Sequence, residues 1–503
     1  MKLVKSLFLG SAAALVAGAG AQAADLPARK AAPVEYVKVC DAYGAGFFFI
    51  PGTETCIKVG GRVRADFAAS GRQSIYSGGT INGTTGALVN TLSRATTSQN
   101  VYGWEARGRV DLDARTQTPW GTVQAVAALR LARTTGILDN QGPNPGSLAG
   151  TNTAAPNANN ASSTLEAAYI RFAGFTFGAA RDNFSFMPST FYGSGHWASF
   201  ANGAKQIAYT AILGGGFSAT VAMQDAADTT RGGTNTQGFI NPITGLYDPT
   251  GLAAGIYAFN SMPQFNGRLD YDQSWGTASL MGAVGRAVDV TNTGTNTLGT
   301  VDLNTEKTVW AIGAGMKFNL PMIAAGDVLY LNGAYANGMT EYTVNWTYFK
   351  GSDTKRNTGG FVNNTPSWVN YLDAAGNAQI QTLKSWNLAA LYTHYWTPQW
   401  RNSFLATGGR VEGTSLTNAV TFGNGGAYGD QTVWNIGTQL AFLPAKDFEI
   451  GVDILYNRVS QDVRRTLVTG TSGAFCNGTT GAGCVTREST GNWSGRLRVE
   501  RTF

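Results

Sequence analysis

Seven arginines stand at alternate positions of segments whose intervening residues are apolar. Arg62 and Arg64 sit between Val59, Gly61, Val63 and Ala65, and Arg107 and Arg109 lie between Ala106, Gly108 and Val110. Arg130 follows Leu129, and Arg496 and Arg498 flank Leu497 near the C-terminus. A period of two puts such residues on one face of an extended strand. A guanidinium stays charged at any physiological pH. Rows of them along a confined, wet face draw in counter-ions, which is a chemistry of attraction and not of bond making. Asp66, Glu105, Asp111 and Asp113 share these faces and offer the bland alternative, in which each arginine is neutralised by a neighbour. The number left unpaired sets the strength of the field.

Bond-making chemistry finds little support. Hydrolysis needs a base, and His196 and His394 are the only imidazoles in the chain. His394 lies in Tyr392-Thr393-His394-Tyr395-Trp396 beside a turn, without a convincing partner set, and reads as interfacial structure. No phosphate loop, metal box or nucleophile elbow occurs, so no enzyme, cofactor or metal is expected. The four cysteines form two close pairs, Cys40 with Cys56 and Cys476 with Cys484. Neither spacing is that of a zinc knuckle, and an even count in an exported chain favours two disulfides.

Export is indicated by the first residues. Lys2 and Lys5 precede an apolar run from Leu7 to Gly20, and Ala21-Gln22-Ala23 supplies a small-x-small cleavage pattern, so residues 1–23 are expected to be a signal peptide. A transmembrane helix needs about 20 apolar residues, and this run is shorter. Losing both lysines lowers the formal charge from +6 to near +4, too mild to suggest a nucleic-acid partner.

The arginines need strands to carry them, and the last segment shows the pattern best. Trp493, Gly495, Leu497, Val499 and Phe503 alternate with Ser494, Arg496, Arg498, Glu500 and Thr502. A soluble sandwich would turn the charged side to bulk water. With a leader and many similar segments, a membrane barrel fits better. Such a charged face must be hydrated, because buried unpaired ions cost several kcal/mol each. The 65 glycines and 11% aromatic residues, against 14% charged, suit a large closed sheet, in which every backbone amide is paired without an edge.

Sixteen strands are expected, near 57–67, 102–115, 122–133, 165–173, 175–183, 204–213, 217–225, 263–273, 277–288, 306–318, 327–338, 384–396, 400–411, 431–443, 448–459 and 492–503. An even number returns the last strand antiparallel to the first. Short connections carry tryptophan, as in Pro119-Trp120-Gly121, Ser274-Trp275-Gly276 and Pro398-Gln399-Trp400, where the ring suits a membrane interface. Long connections such as 68–100, 134–164, 226–262 and 339–383 are rich in Gly, Asn, Thr and Ser and read as external loops.

The leader followed by Ala24-Asp25-Leu26-Pro27, the segment from Val39 to Cys56, the stretch Ala168 to Gly178 with its Phe172-Ala173-Gly174-Phe175 turn, and the terminal Arg501-Thr502-Phe503 resemble the porins of alphaproteobacteria over the whole chain. The resemblance implies a sixteen-stranded antiparallel transmembrane β-barrel of the outer membrane. It also implies a homotrimer that passes small hydrophilic solutes and has a third external loop folded into the lumen. By strand count that loop is 184–203, and its rings Phe184, Phe186, Phe191, Tyr192, Trp197 and Phe200, with His196, favour packing against the inner wall. A trimer contact or a lipopolysaccharide-facing loop is the alternative. Many general porins place carboxylates in this loop. Here the nearest acid is Asp182, just ahead of it, so a mild anion preference is expected. Residues 24–56 are expected to form a periplasmic N-terminal segment with a Cys40–Cys56 hairpin, and 57–503 the transmembrane barrel. Phe503 is expected to act as the assembly signal read by the outer-membrane assembly machinery, and membrane lipid and lipopolysaccharide are the other expected partners. A substrate-selective channel, or an adhesin or structural barrel, are the competing functions.

Overall fold

The computed structural model describes residues 38–71, 74–77, 93–96, 102–138, 160–188, 191–192, 203–225, 239–240, 247–248, 262–288, 306–343, 368–372, 378–413, 430–465 and 484–503. The expected leader, His196, Trp197 and Cys476 lie outside these residues.

Alternation of apolar and polar residues produces sixteen long strands: β1 (Cys56–Ser70), β2 (Tyr102–Thr118), β3 (Gly121–Thr134), β4 (Asn160–Phe172), β5 (Phe175–Ala180), β6 (Ala204–Gly214), β7 (Phe217–Gln224), β8 (Gln264–Gln273), β9 (Gly276–Val288), β10 (Glu306–Asn319), β11 (Val328–Asn337), β12 (Lys384–Thr397), β13 (Trp400–Glu412), β14 (Gln431–Ala445), β15 (Phe448–Arg465) and β16 (Cys484–Thr502). Each pairs antiparallel with its sequence neighbour, and β16 pairs with β1 through Arg62↔Thr502 to Ser70↔Ser494. The sheet is therefore a closed barrel. Gly61 and Phe503 exchange both backbone hydrogen bonds at 3.0 Å, which carries the seam to the chain's last residue.

The two faces differ as a lipid-to-water divide requires. Val59, Val63, Leu131, Ile212, Leu280, Leu388 and Trp493 are exposed on the outside, while Asp66, Gln206, Asn266, Asn387 and Asn435 are buried on the inside. Expected and observed strands agree closely, with four main departures, the first being that β4 begins at Asn160, five residues ahead of its expected start. β15 and β16 run several residues further outward than expected, and β5 stops at Ala180, where the chain leaves the wall.

Among the described residues the tight strand-to-strand turns lie at one end. At the Phe172–Phe175 turn, Ala173 and Gly174 have φ of 47° and 85°. The Gly174 position is closed to a side chain, since an added Cβ would lie 2.9 Å from the Thr210 carbonyl oxygen. The disulfide Cys40–Cys56 closes a hairpin against the start of β1, with Phe48 opposite Ile57. Outside the wall, the main packed core lies within the barrel and involves the chain that follows β5.

Candidate functional site

The chain that leaves β5 turns into the lumen through one buried carboxylate. Asp182 accepts from the Phe184 amide and the Ser185 hydroxyl at 3.0 Å. The side-chain amides of Gln224 and Asn266 reach it at 3.4 Å. Four donors around one carboxylate fix the direction in which the loop departs.

From there the aromatic residues cross the barrel. Phe184 packs edge-on to Tyr342 at 4.8 Å between ring centres, and a Cβ on Gly313 would meet its ring at 3.0 Å. Phe186 lies over Gly315 and tilts against Tyr330 at 6.1 Å. Gly313 and Gly315 alternate with Ile312 and Met316 on β10, so they face inward and their missing side chains make room for the rings. Tyr342 donates to Gln264 at 2.8 Å. Further along, the Tyr192 hydroxyl donates to Glu449, its ring lies over Gly451, and the Arg498 guanidinium sits 4.5 Å from the ring centre. The segment thus runs from β5 past β10 to β15 and β16. Phe184, Phe186, Phe191 and Tyr192 are all buried.

The lumen is left with two unlike sides. Strands β9 to β13 carry the apolar packing, including Met281, Val309, Ala334, Leu391 and Leu405. Strands β16 and β1 to β4 carry the arginines. Arg62 faces Arg109 and Arg64 faces Arg107 across β1 and β2, and Arg109 faces Arg130 across β2 and β3. Like charges directly opposite repel, and carboxylates interleave with them. Glu500 lies 2.6 Å from Arg64 and 3.9 Å from Arg62. Glu105 pairs with Arg107. Arg109 spans Asp111 at 2.6 Å and Glu166 at 3.0 Å, and Glu166 also takes Arg130 at 3.3 Å. Asp66 accepts both arms of the Arg498 fork at 2.7 Å and Arg496 at 3.2 Å. All seven arginines therefore have a carboxylate partner. Asp113, expected among those partners, binds Arg115 instead.

The sequence reading did not identify Glu166 or the inward glycines. Counting back from Tyr169 and Arg171 by twos puts Glu166 on the lipid face. A register shift opposite Ala128 and Leu129 inserts it as the extra residue of a bulge and turns it inward. The glycines have no side chain to show which face they serve. His394, read as lacking a convincing partner set, has two partners: its Nδ1 lies 2.7 Å from Asp327 and 3.4 Å from the Tyr392 hydroxyl, and Asp327 also accepts from that hydroxyl at 2.7 Å and from the Tyr395 amide at 2.9 Å. Burial works to raise the Asp327 pKa, but these donors outweigh it and hold the carboxyl below its usual range. The group is a clasp between the Leu320–Asp327 turn and β12. Among the described residues no cluster fit to hold a metal is found.

A closed sixteen-stranded barrel with an apolar exterior, a polar lumen and an inward loop is the architecture of an outer-membrane diffusion channel. The Porin subfamily model matches residues 25–479. Porin Omp2b of Brucella suis biovar 1 is 33% identical over 324 residues, covering 62% of this chain and 73% of that protein. Porin Omp2b of Brucella abortus is 32% identical with the same coverage. The outer membrane channel DcaP of Acinetobacter baumannii superposes with a TM-score of 0.52 at 14% identity, over 90% of this chain and 99% of that one, a likeness of fold. The chain belongs to the Porin subfamily and is an outer-membrane β-barrel channel for passive diffusion.

Proposed function

We propose that this porin passes small hydrophilic solutes and ions along the charged side of its lumen, narrowed by the inward segment after β5, with a mild preference for anions. The crossing of that segment from Asp182 to Tyr192 carries the reading, because it fills the apolar side and ends against Arg498, and the partly exposed Arg62, Arg107, Arg109 and Arg130 border the path that is left. The preference is mild because the seven arginines face Asp66, Glu105, Asp111, Glu166 and Glu500, and Asp453 stands opposite Arg496 as a sixth acid. Fixed charge in a confined pore selects by its net excess, and here the excess on this wall is small.

Three further parts of the reading rest on the family resemblance and the sequence: a homotrimeric assembly, removal of residues 1–23 as a signal peptide, and the absence of enzymatic activity. Reversal potentials in a salt gradient across a planar bilayer test the selectivity, and a clear cation preference overturns it. Liposome swelling with neutral sugars of rising size then sets the width of the path.

A further inference from the structure

We propose that the short-turn mouth of the lumen holds a binding site for small oxyanions, carboxylates or phosphates, built from Arg115, Arg171 and Arg181 and distinct from the arginine wall. A cavity of about 610 Å³ opens there, lined by these three arginines together with Gln124, Thr176 and Asn183 and by no acidic residue. That volume suits a small organic solute.

The site is laid out by register. Arg115 faces Gln124 across β2 and β3, Gln124 faces Arg171 across β3 and β4, and Arg171 faces Thr176 across β4 and β5. A single row of inward side chains therefore carries two guanidinium groups, an amide and a hydroxyl, and Arg181 follows directly on the end of β5. The charge balance differs from the wall. Arg115 is bound by Asp113 at 2.7 Å. Arg171 lies over the Tyr169 ring at 4.7 Å, and Arg181 donates to the Met187 carbonyl at 2.9 Å. Among the described residues neither of the last two is held in an ion pair, although Asp182 next to Arg181 offsets part of its charge, and both are exposed to the lumen. The Gln124 amide donates to Asp113 at 3.0 and 3.1 Å and the Asn183 amide to Gln206 at 2.9 Å, so the two guanidinium forks, with the Thr176 hydroxyl beside them, are the groups that match an oxyanion in geometry and in charge.

The disulfide-closed hairpin shapes the entrance. Its Tyr43 lines the cavity and stacks on Arg115 at 5.7 Å, with Phe47 at 4.9 Å from the same guanidinium. The site reaches from the root of the inward loop at Arg181 and Asn183 to the Phe172–Phe175 turn, so it lies between the loop and the short-turn mouth. The inference deepens the anion preference proposed above by giving it a place and a ligand class.

The test is a single-channel titration in constant potassium chloride, with inorganic phosphate or acetate added to either side. Saturable block by at least one of these oxyanions, at lower concentration from the short-turn side, is expected. Arg171→Gln/Arg181→Gln should raise the half-blocking concentration roughly tenfold or more, the loss of charge-assisted hydrogen bonds. Arg171→Lys/Arg181→Lys, which keeps charge but loses the forks, should fall between and serves if the glutamine variant does not fold. A wild-type channel that conducts chloride but shows no saturable block by either oxyanion overturns the site and leaves the channel standing. Unchanged block in a folded, conducting double variant also overturns it. Absence of chloride conductance would defeat the channel reading itself.

Discussion

The hydroxyl of Tyr192 donates to Glu449 across the lumen from the root of its own segment, while Arg498 lies against the Tyr192 ring. Burial, with Glu449 beside it, pushes the phenol above its usual range, so it remains a donor. Tyr192→Phe removes a hydrogen bond to a charged acceptor, an interaction of about 1.5–3 kcal/mol. The segment should then detach more often, seen as added current noise and more frequent substates in single-channel records. A quiet Tyr192→Phe channel would show that the ring contacts alone hold the segment.

The docking of Phe186 on β10 depends on a side chain that is absent. At Gly315 an added Cβ would fall on the Phe186 ring. Gly315→Ile should push the segment off the apolar side toward the arginines, at a cost of roughly 1–3 kcal/mol for overpacking. The expected readout is lower conductance and slower swelling with the larger sugars. Conductance equal to that of the wild type would place the narrow path elsewhere.

The arginine wall makes two opposite predictions from one carboxylate. Glu166 holds Arg109 and Arg130 together. Glu166→Gln removes a negative charge while retaining the shape, and should shift the reversal potential toward anions. Arg109→Gln leaves Asp111 without its partner and Glu166 with Arg130 alone, and should shift the potential toward cations. If both variants move it the same way, the wall does not set selectivity.

Much of this was legible in the chain because a barrel wall obeys a local rule. Alternation in Tyr102 to Thr118 or Lys384 to Thr397 fixes face and length without reference to distant residues. The aromatic richness after Asp182 likewise gave a physical reason for an inward loop. What alternation left hidden was whatever breaks it or carries no side chain. The bulge at Ala128 and Leu129 reverses the face of Glu166, and Gly313 and Gly315 become receptors for rings separated from them by more than a hundred residues. Asp327 escaped notice because it was counted as the first residue of the strand at 327–338, whereas it closes the turn ahead of β11, and its partners Tyr392 and His394 become neighbours only when β11 pairs with β12.

That turn gives a pH dependence whose sign follows from the direction of its shift. The Asp327 carboxyl is held below its ordinary value by His394, Tyr395 and Tyr392, against the opposing effect of burial. A carboxylate with a depressed folded pKa adds stability that is complete above its unfolded value of about 3.9 and is lost as pH falls through the folded value. The clasp should therefore be intact at neutral pH and weaken in strong acid. Asp327→Asn keeps the size but loses the charge-assisted bonds to His394 Nδ1 and the Tyr392 hydroxyl. Its thermal midpoint in detergent should lie below that of the wild type at pH 7, and the gap should narrow as both are acidified below about pH 4. A gap that stays constant across that range would mean that Asp327 contributes through packing and not through its charge.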